Sequence, residues 1–281
     1  MATILIHSPT LTAQQQTTLQ KTFEQSRLEQ PIQINNHFRM SVTETPTAQS
    51  LTELSQQIQL DINLLPENFK ADDIKLVISD MDSTLISIEC VDEIADFINV
   101  KAEVSAITEA AMRGELNFES SLIQRVNLLT GLNTSALQHV FDERLTLNPG
   151  ADMWIQGLKT KNISFALVSG GFTFFTERLK QQLNLDYARA NVLGEANGKL
   201  TGKVIGNIIG AQAKADFLHE LCQTLNIQPH QVIAVGDGAN DLLMMKEAGL
   251  SIAYHAKPAV QKEALAAINY RGLDAILDFL A

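Results

Sequence analysis

From Ile74 onward, apolar residues come in short unbroken runs separated by stretches with helical spacing. The runs IKLVIS (74–79), ISFALVSG (163–170), QVIAVGDG (231–238) and LSIAY (250–254) are rich in β-branched residues. Near-continuous apolar strands alternating with helices predict an α/β fold, a parallel sheet with helices on both faces. Between the first and second runs lies a long insertion, about 86–149, that reads as helical throughout. Its clearest helix is NFESSLIQRVNLLTG, where Phe118, Leu122, Val126 and Leu129 form one stripe and Gly131 is the expected C-cap. Residues 190–206, ANVLGEANGKLTGKVIG, predict a glycine-punctuated hairpin.

The opening segment has a different pattern. It reads as strand (TILIHS), helix (Thr12 to about Arg27), an extended stretch (IQINNHFRMSV), helix (Thr47 to Gln57) and strand (LDINLL). Leu11, Leu19 and Phe23, and then Leu51, Leu54 and Ile58, supply the helical spacing. A small α+β module over residues 1–70 follows, joined through the polar PENFKADD (66–73) to a larger unit over 71–281.

Composition narrows the partners. The chain has 281 residues, 45% hydrophobic and 19% charged, which suits a soluble globular protein. A formal net charge of -11 argues against nucleic acid or an anionic membrane surface, though not against a small phosphorylated ligand in a local basic pocket. No apolar run is long enough to span a membrane, and MATILIHSPT lacks the basic start of a secretory signal, so a cytoplasmic location is expected. The two cysteines, Cys90 and Cys222, sit far apart and predict buried free thiols.

The chemistry gathers at the ends of three predicted strands. The first runs into Asp80 and Asp82 of DMDSTL, the second into Ser169-Gly170-Gly171, and the third into GDGAND, residues 236–241. Ligands of open α/β sheets bind outside the carboxyl ends of the strands. Two carboxylates one residue apart repel, so a metal ion, a lysine or water at a surface turn must neutralise them. Lys214, in GAQAKADFLHEL, is an available cation. An EF-hand is excluded because Leu85 stands where its loop needs glycine and Val91 where it needs glutamate. A dinucleotide loop is excluded because Asp241 would face the pyrophosphate.

In this order DxDST, SGG, Lys and GDGxND resemble the haloacid dehalogenase superfamily of phosphatases, and IECVDEIA, NFESSLIQRVNLL and GLSIAYHAKP extend the likeness across 74–281. The resemblance implies a haloacid dehalogenase-like fold, with the insertion as a helical cap over the site. It further implies Mg²⁺-dependent hydrolysis of O-phosphoserine to serine and phosphate, the last step of serine biosynthesis, through an aspartyl-phosphate. In that scheme Asp80 is the nucleophile and Asp82 the general acid and base. Mg²⁺ takes the carboxylates of Asp80 and Asp237 and the backbone carbonyl of Asp82. Ser169, the Gly170 N–H and Lys214 hold the phosphoryl oxygens, while Asn240 and Asp241 orient the metal shell or Lys214, with Asn240 also at the substrate. Arg125 clamps the substrate carboxylate, Glu89 accepts from its ammonium, and Phe118 packs on the cap side of the ligand.

Other readings stay open on the residues alone. Arg125 can instead bury its stem and reach water, and the reaction can use another small phosphomonoester or an acceptor alcohol in place of water. The N-terminal module loosely resembles the amino-acid-binding (ACT-like) modules of some bacterial members, but HSPT occupies the turn where those carry glycine. Packing or a homodimer contact is the other use of that module.

Overall fold

The computed structural model of the protein describes residues 2–23, 30–112 and 115–281. Its first part is an antiparallel sheet of β1 (Ala2–His7), β2 (Ile32–Ile34), β3 (His37–Val42) and β4 (Asp61–Leu64), in the order β2-β3-β1-β4. Two helices, α1 (Ala13–Thr22) and α2 (Ala48–Ile58), pack on it. Each starts at a threonine, Thr12 or Thr47, whose hydroxyl accepts from the backbone N–H three residues on. The helix expected to reach about Arg27 ends at Thr22 with Phe23 as its cap, and residues 24–27 lie outside the described residues. Ile4 and Ile6 face α1 and α2 with Leu19, Leu51 and Leu54, while Leu5 belongs to the core of the larger unit. Strand alternation thus gives β1 two apolar faces.

The larger unit begins with β5 (Leu76–Ser79). Four cap helices follow, α3 (Cys90–Asp96), α4 (Lys101–Met112), α5 (Phe118–Leu128) and α6 (Ser135–Glu143). The chain continues through α7 (Ala151–Thr160), β6 (Ser164–Phe172), α8 (Thr173–Leu183) and the hairpin β7 (Tyr187–Ala196) and β8 (Lys199–Ile205). It ends with α9 (Ala211–Leu225), β9 (Val232–Gly236), α10 (Leu242–Glu247), β10 (Leu250–Tyr254), α11 (Pro258–Glu263), β11 (Ala266–Ile268) and a 3₁₀ turn over Leu273–Leu280. The seven-stranded sheet has the order β11-β10-β9-β5-β6-β7-β8, parallel except for β8. Alternate residues of its central strands feed two cores. Val77, Leu167, Ile233 and Val235 meet α7 and α8, whereas Leu76, Ile78, Val168 and Ala234 meet α9, α10 and α11.

Gly131 does not cap α5. The helix ends at Leu128 with Leu129 as its cap, and Gly131, at φ +84°, donates its N–H to the Leu200 carbonyl of β8 at 2.8 Å. The cap's two connections are laced together. Ile86 bridges Leu147, the Ser87 N–H donates to Thr146 O at 2.9 Å, and the Asn148 N–H donates to Leu85 O at 3.0 Å.

The module rests on the sheet edge at β11. The Asn63 side chain accepts from the Ala267 N–H at 2.8 Å and donates to the Ala267 carbonyl at 3.0 Å, as a neighbouring strand would. Asp61 accepts from the successive N–H groups of Asn269, Tyr270 and Arg271. His7 and His37, both fully buried, face the two carboxylate oxygens of Asp278. Burial alone would raise the Asp278 pKa, but the two histidines outweigh it and bring it to about 2. Among the described residues no helix is long and apolar enough to cross a membrane.

Candidate active site

The C-terminal ends of β5, β6 and β9 meet at one place. Asp80 leaves β5 with its N–H donated to Val235 O of β9 at 3.0 Å. Asp80 and Asp82 both have extended backbone, so their side chains leave the chain on the same side while Met81 turns into the core. Ser83 then takes φ +57°, which swings the chain away into a loose turn over Met81–Leu85.

Lys214, in the first turns of α9, is completely buried. Its ammonium donates to Asp80 Oδ1 at 2.6 Å and to Asp241 Oδ1 at 2.7 Å. The other oxygen of Asp241 accepts from the Gly238 N–H at 3.0 Å, which fixes that carboxylate completely. The approach depends on Gly236, because a Cβ there would stand 2.5 Å from the Asp241 carboxylate. Asp237 receives the Thr84 hydroxyl on Oδ1 at 3.0 Å.

Asp82 is held differently. Its Oδ1 accepts from the Cys90 N–H at the start of α3, at 2.9 Å, and its Oδ2 from the Ser169 hydroxyl at 3.1 Å. Ser169 Oγ in turn accepts from the Gly171 N–H at 2.8 Å. The Gly170 carbonyl accepts from the Asn191 side chain, whose own oxygen receives the Ile209 N–H, both at 2.8 Å. Asn191 thereby ties the β6 turn to the segment leading into α9.

The cap supplies the opposite wall. Phe118 lies against the β6 turn, where a Cβ on Gly170 would stand 2.7 Å from its ring. Glu89, at the start of α3, accepts from the Ser83 hydroxyl at 2.7 Å. Arg125, half-buried on α5, donates from Nε to Ser121 O at 3.4 Å and feels the charges of Asp92, Glu89 and Asp82. Asn240 sits in the turn before α10 with its side-chain oxygen against Gly238.

The electrostatics show a deficit of positive charge. Asp80 and Asp241 share the buried Lys214 ammonium, whose charge also reaches Asp82 and Asp237, and Lys257 acts on Asp237 as well. Burial pushes the Asp80 pKa well up, with Asp241 adding to it against Lys214. Burial raises Asp82 as well, against the Cys90 and Ser169 bonds. Asp237 rises to about 6 through burial and Asp241. Glu89 rises to about 7 through burial and Asp82. Oxygens of Asp80, Asp237 and Asp241 lie within 4.8 Å of one another, a group that can hold a cation. Since both oxygens of Asp241 are engaged by Lys214 and Gly238, Asp80 and Asp237 are the better ligands. A hard dication suits an all-oxygen site with this charge.

Lys214 thus bonds Asp80 and Asp241 directly, Ser169 bonds Asp82, and Asp237 lies beside Asp80, with Phe118 and Arg125 carried by the cap. Sequence reasoning did not single out Thr84, Ser83, Asn148 or Asn191. The two hydroxyls stood in plain view within DMDSTL, whereas the two amides carry no motif signal.

The profile of the haloacid dehalogenase-like hydrolases matches residues 74–249. A phosphoserine phosphatase of Polaromonas sp. is 52% identical over 226 residues, covering 79% of this chain and 96% of that protein. A crystal structure of a haloacid dehalogenase family hydrolase from Salmonella enterica serovar Typhi covers 100% of this chain and 98% of its own, with a TM-score of 0.90 at 35% identity. A phospho-aspartyl intermediate analogue of phosphoserine phosphatase covers 74% of this chain and 99% of its own, with a TM-score of 0.70 at 42% identity.

Proposed function

The chain belongs to the haloacid dehalogenase-like hydrolase family, and we propose that it is a Mg²⁺-dependent phosphoserine phosphatase, cytoplasmic and closing serine biosynthesis. Relatives of that activity, 52% identical in one case, support the substrate. The observation that carries the reading is the Asp80–Lys214 pair at the end of β5, faced by a cap that carries Arg125 and Glu89. A phosphomonoester needs the first, and a zwitterionic amino acid needs one fixed charge of each sign from the second.

The chemistry runs through the chain's own groups. Asp80 attacks phosphorus and forms the aspartyl-phosphate as the bond to the serine oxygen breaks. Asp82, whose raised pKa suits a proton donor, protonates that oxygen and then takes a proton from the attacking water. Lys214, Ser169 and the Gly170 N–H bind the phosphoryl oxygens as charge spreads over them. Asp241 keeps Lys214 aimed, and Asn240 lies at the substrate's edge. Arg125 forks the substrate carboxylate, Glu89 takes the ammonium, and Phe118 closes the site against water. Asp80, Asp237 and the Asp82 carbonyl would hold Mg²⁺, which when bound would supply charge neutralisation for the approach of carboxylate to phosphate. We also propose the division into residues 1–70 and 71–281 with a cap over about 86–149, and a packing role for the first unit in place of amino-acid binding.

Phosphate release from O-phosphoserine, O-phosphothreonine and a sugar phosphate, with Mg²⁺ and with chelator, tests the reading. Highest kcat/KM for phosphoserine and none under chelation supports it. A preference for the sugar phosphate overturns the substrate assignment.

A further inference from the structure

Thr84 is completely buried, and its hydroxyl donates to Oδ1 of Asp237 at 3.0 Å, across 153 positions of sequence. Its backbone is anchored from a third direction. The Asn148 side chain, at the cap's second connection, donates to the Thr84 carbonyl at 2.8 Å and to the Ile86 carbonyl at 3.1 Å. The hydroxyl therefore projects from a fixed point, on the turn that also carries Asp80 and Asp82.

A carboxylate turns about its last torsion in a broad, roughly two-fold well. A hydrogen bond to one oxygen selects one orientation and presents the other oxygen to whatever lies in front. One carboxylate oxygen of Asp237 lies within 4.8 Å of oxygens of Asp80 and Asp241. We propose that Thr84 is a positioning residue of the cation site, fixing the rotation of Asp237 so that Oδ2 meets the ion. Asn148 supports it by holding the turn. The inference rests on the metal reading above, and it adds a determinant of affinity that contacts neither metal nor substrate.

The test is calorimetric titration of Mg²⁺ into the full-length, phosphate-free protein, comparing wild type, Thr84→Val and Thr84→Ser. Valine keeps the branched shape and removes the donor. Loss of such an outer partner weakens metal binding by about 10–100-fold, and that is the expected effect in Thr84→Val, with Thr84→Ser close to wild type. Unchanged Mg²⁺ affinity in a folded Thr84→Val protein overturns the proposal. If the valine protein does not fold, Thr84→Ser decides: retained affinity supports the role of the hydroxyl, and lost affinity overturns it. A wild-type protein that binds no Mg²⁺ overturns the metal reading itself, a distinct result.

Discussion

Lys214 Nζ lies 2.6 Å from Asp80 Oδ1 with both side chains withdrawn from water. The same ammonium reaches Asp241 at 2.7 Å, so one cation serves two buried acids. Burial alone would lower the lysine pKa, but Asp241 and Asp80 more than reverse that and push it up. At this separation unit charges attract by several kcal/mol even at an effective dielectric of about 20. The pair holds the lysine in place, and its ammonium opposes the burial and the Asp241 charge that push Asp80 toward its neutral form.

Removing either partner has opposite consequences for the fold. Lys214→Met leaves Asp80 and Asp241 buried and uncompensated, and breaking such a pair costs about 3–5 kcal/mol. Asp80→Asn removes one of four crowded acids and leaves Lys214 on Asp241. Denaturant unfolding is expected to show a large loss for the first variant and stability near wild type for the second. Both lose phosphate release, Asp80→Asn because an amide cannot attack phosphorus.

Arg125→Ala separates substrate recognition from chemistry. Losing a desolvated charge pair to the substrate carboxylate costs about 2–5 kcal/mol, expected as a rise in KM for phosphoserine. An aryl phosphate without the carboxylate is expected to be hydrolysed at nearly the wild-type rate. Equal damage to both substrates would mark Arg125 as a structural residue that buries its stem.

The sequence made most of the fold legible because β5, β6, β9 and β10 are apolar on both faces, a pattern that only a covered parallel sheet requires. The acids and Lys214 were legible because each stands at a strand end or a helix start within a short motif. The seam between module and sheet was not. Asn63 meets Ala267 and His7 meets Asp278 across more than 200 positions, and neither pair belongs to a periodic pattern. Asn148 and Asn191 were invisible for the same reason, since a lone amide reads as surface until the backbone groups it serves are placed around it. Gly131 misled because the glycine serves a long-range bond to Leu200 three residues after α5 has ended.

The Glu89 carboxyl, pushed up to about 7 by burial and by Asp82, makes recognition pH-dependent. Below that pH it is neutral and cannot attract the substrate ammonium. Thus kcat/KM for phosphoserine is expected to fall as pH drops through about 7. In Glu89→Gln the value is lower above about pH 7 and flat through that window. The phosphate's own ionisation near about 6 leaves a lower limb in both proteins. A profile of wild type and variant from pH 5 to 9 reads the difference directly, and an unchanged limb near 7 in the variant would assign it elsewhere.

Asp61→Ala tests what the module contributes. Three backbone N–H groups lose their acceptor at a buried seam, and each such loss costs about 1–3 kcal/mol unless water enters. Thermal unfolding is expected to fall markedly, with kcat for phosphoserine nearly unchanged because no site residue is touched. Deletion of residues 1–70 is expected to act the same way but more severely, exposing the edge of β11. Loss of kcat in a folded Asp61→Ala protein would show that the module reaches the active site.

Passage of the phosphoryl group through Asp80 is the step on which the proposed reaction depends. Acid-quenched turnover of radiolabelled O-phosphoserine, followed by peptide mapping, measures this most directly. The predicted result is label on the peptide containing Asp80, released by hydroxylamine as an acyl phosphate must be, and absent from Asp80→Asn. Label on a serine or histidine peptide, or serine release with no labelled enzyme at any quench time, would contradict it.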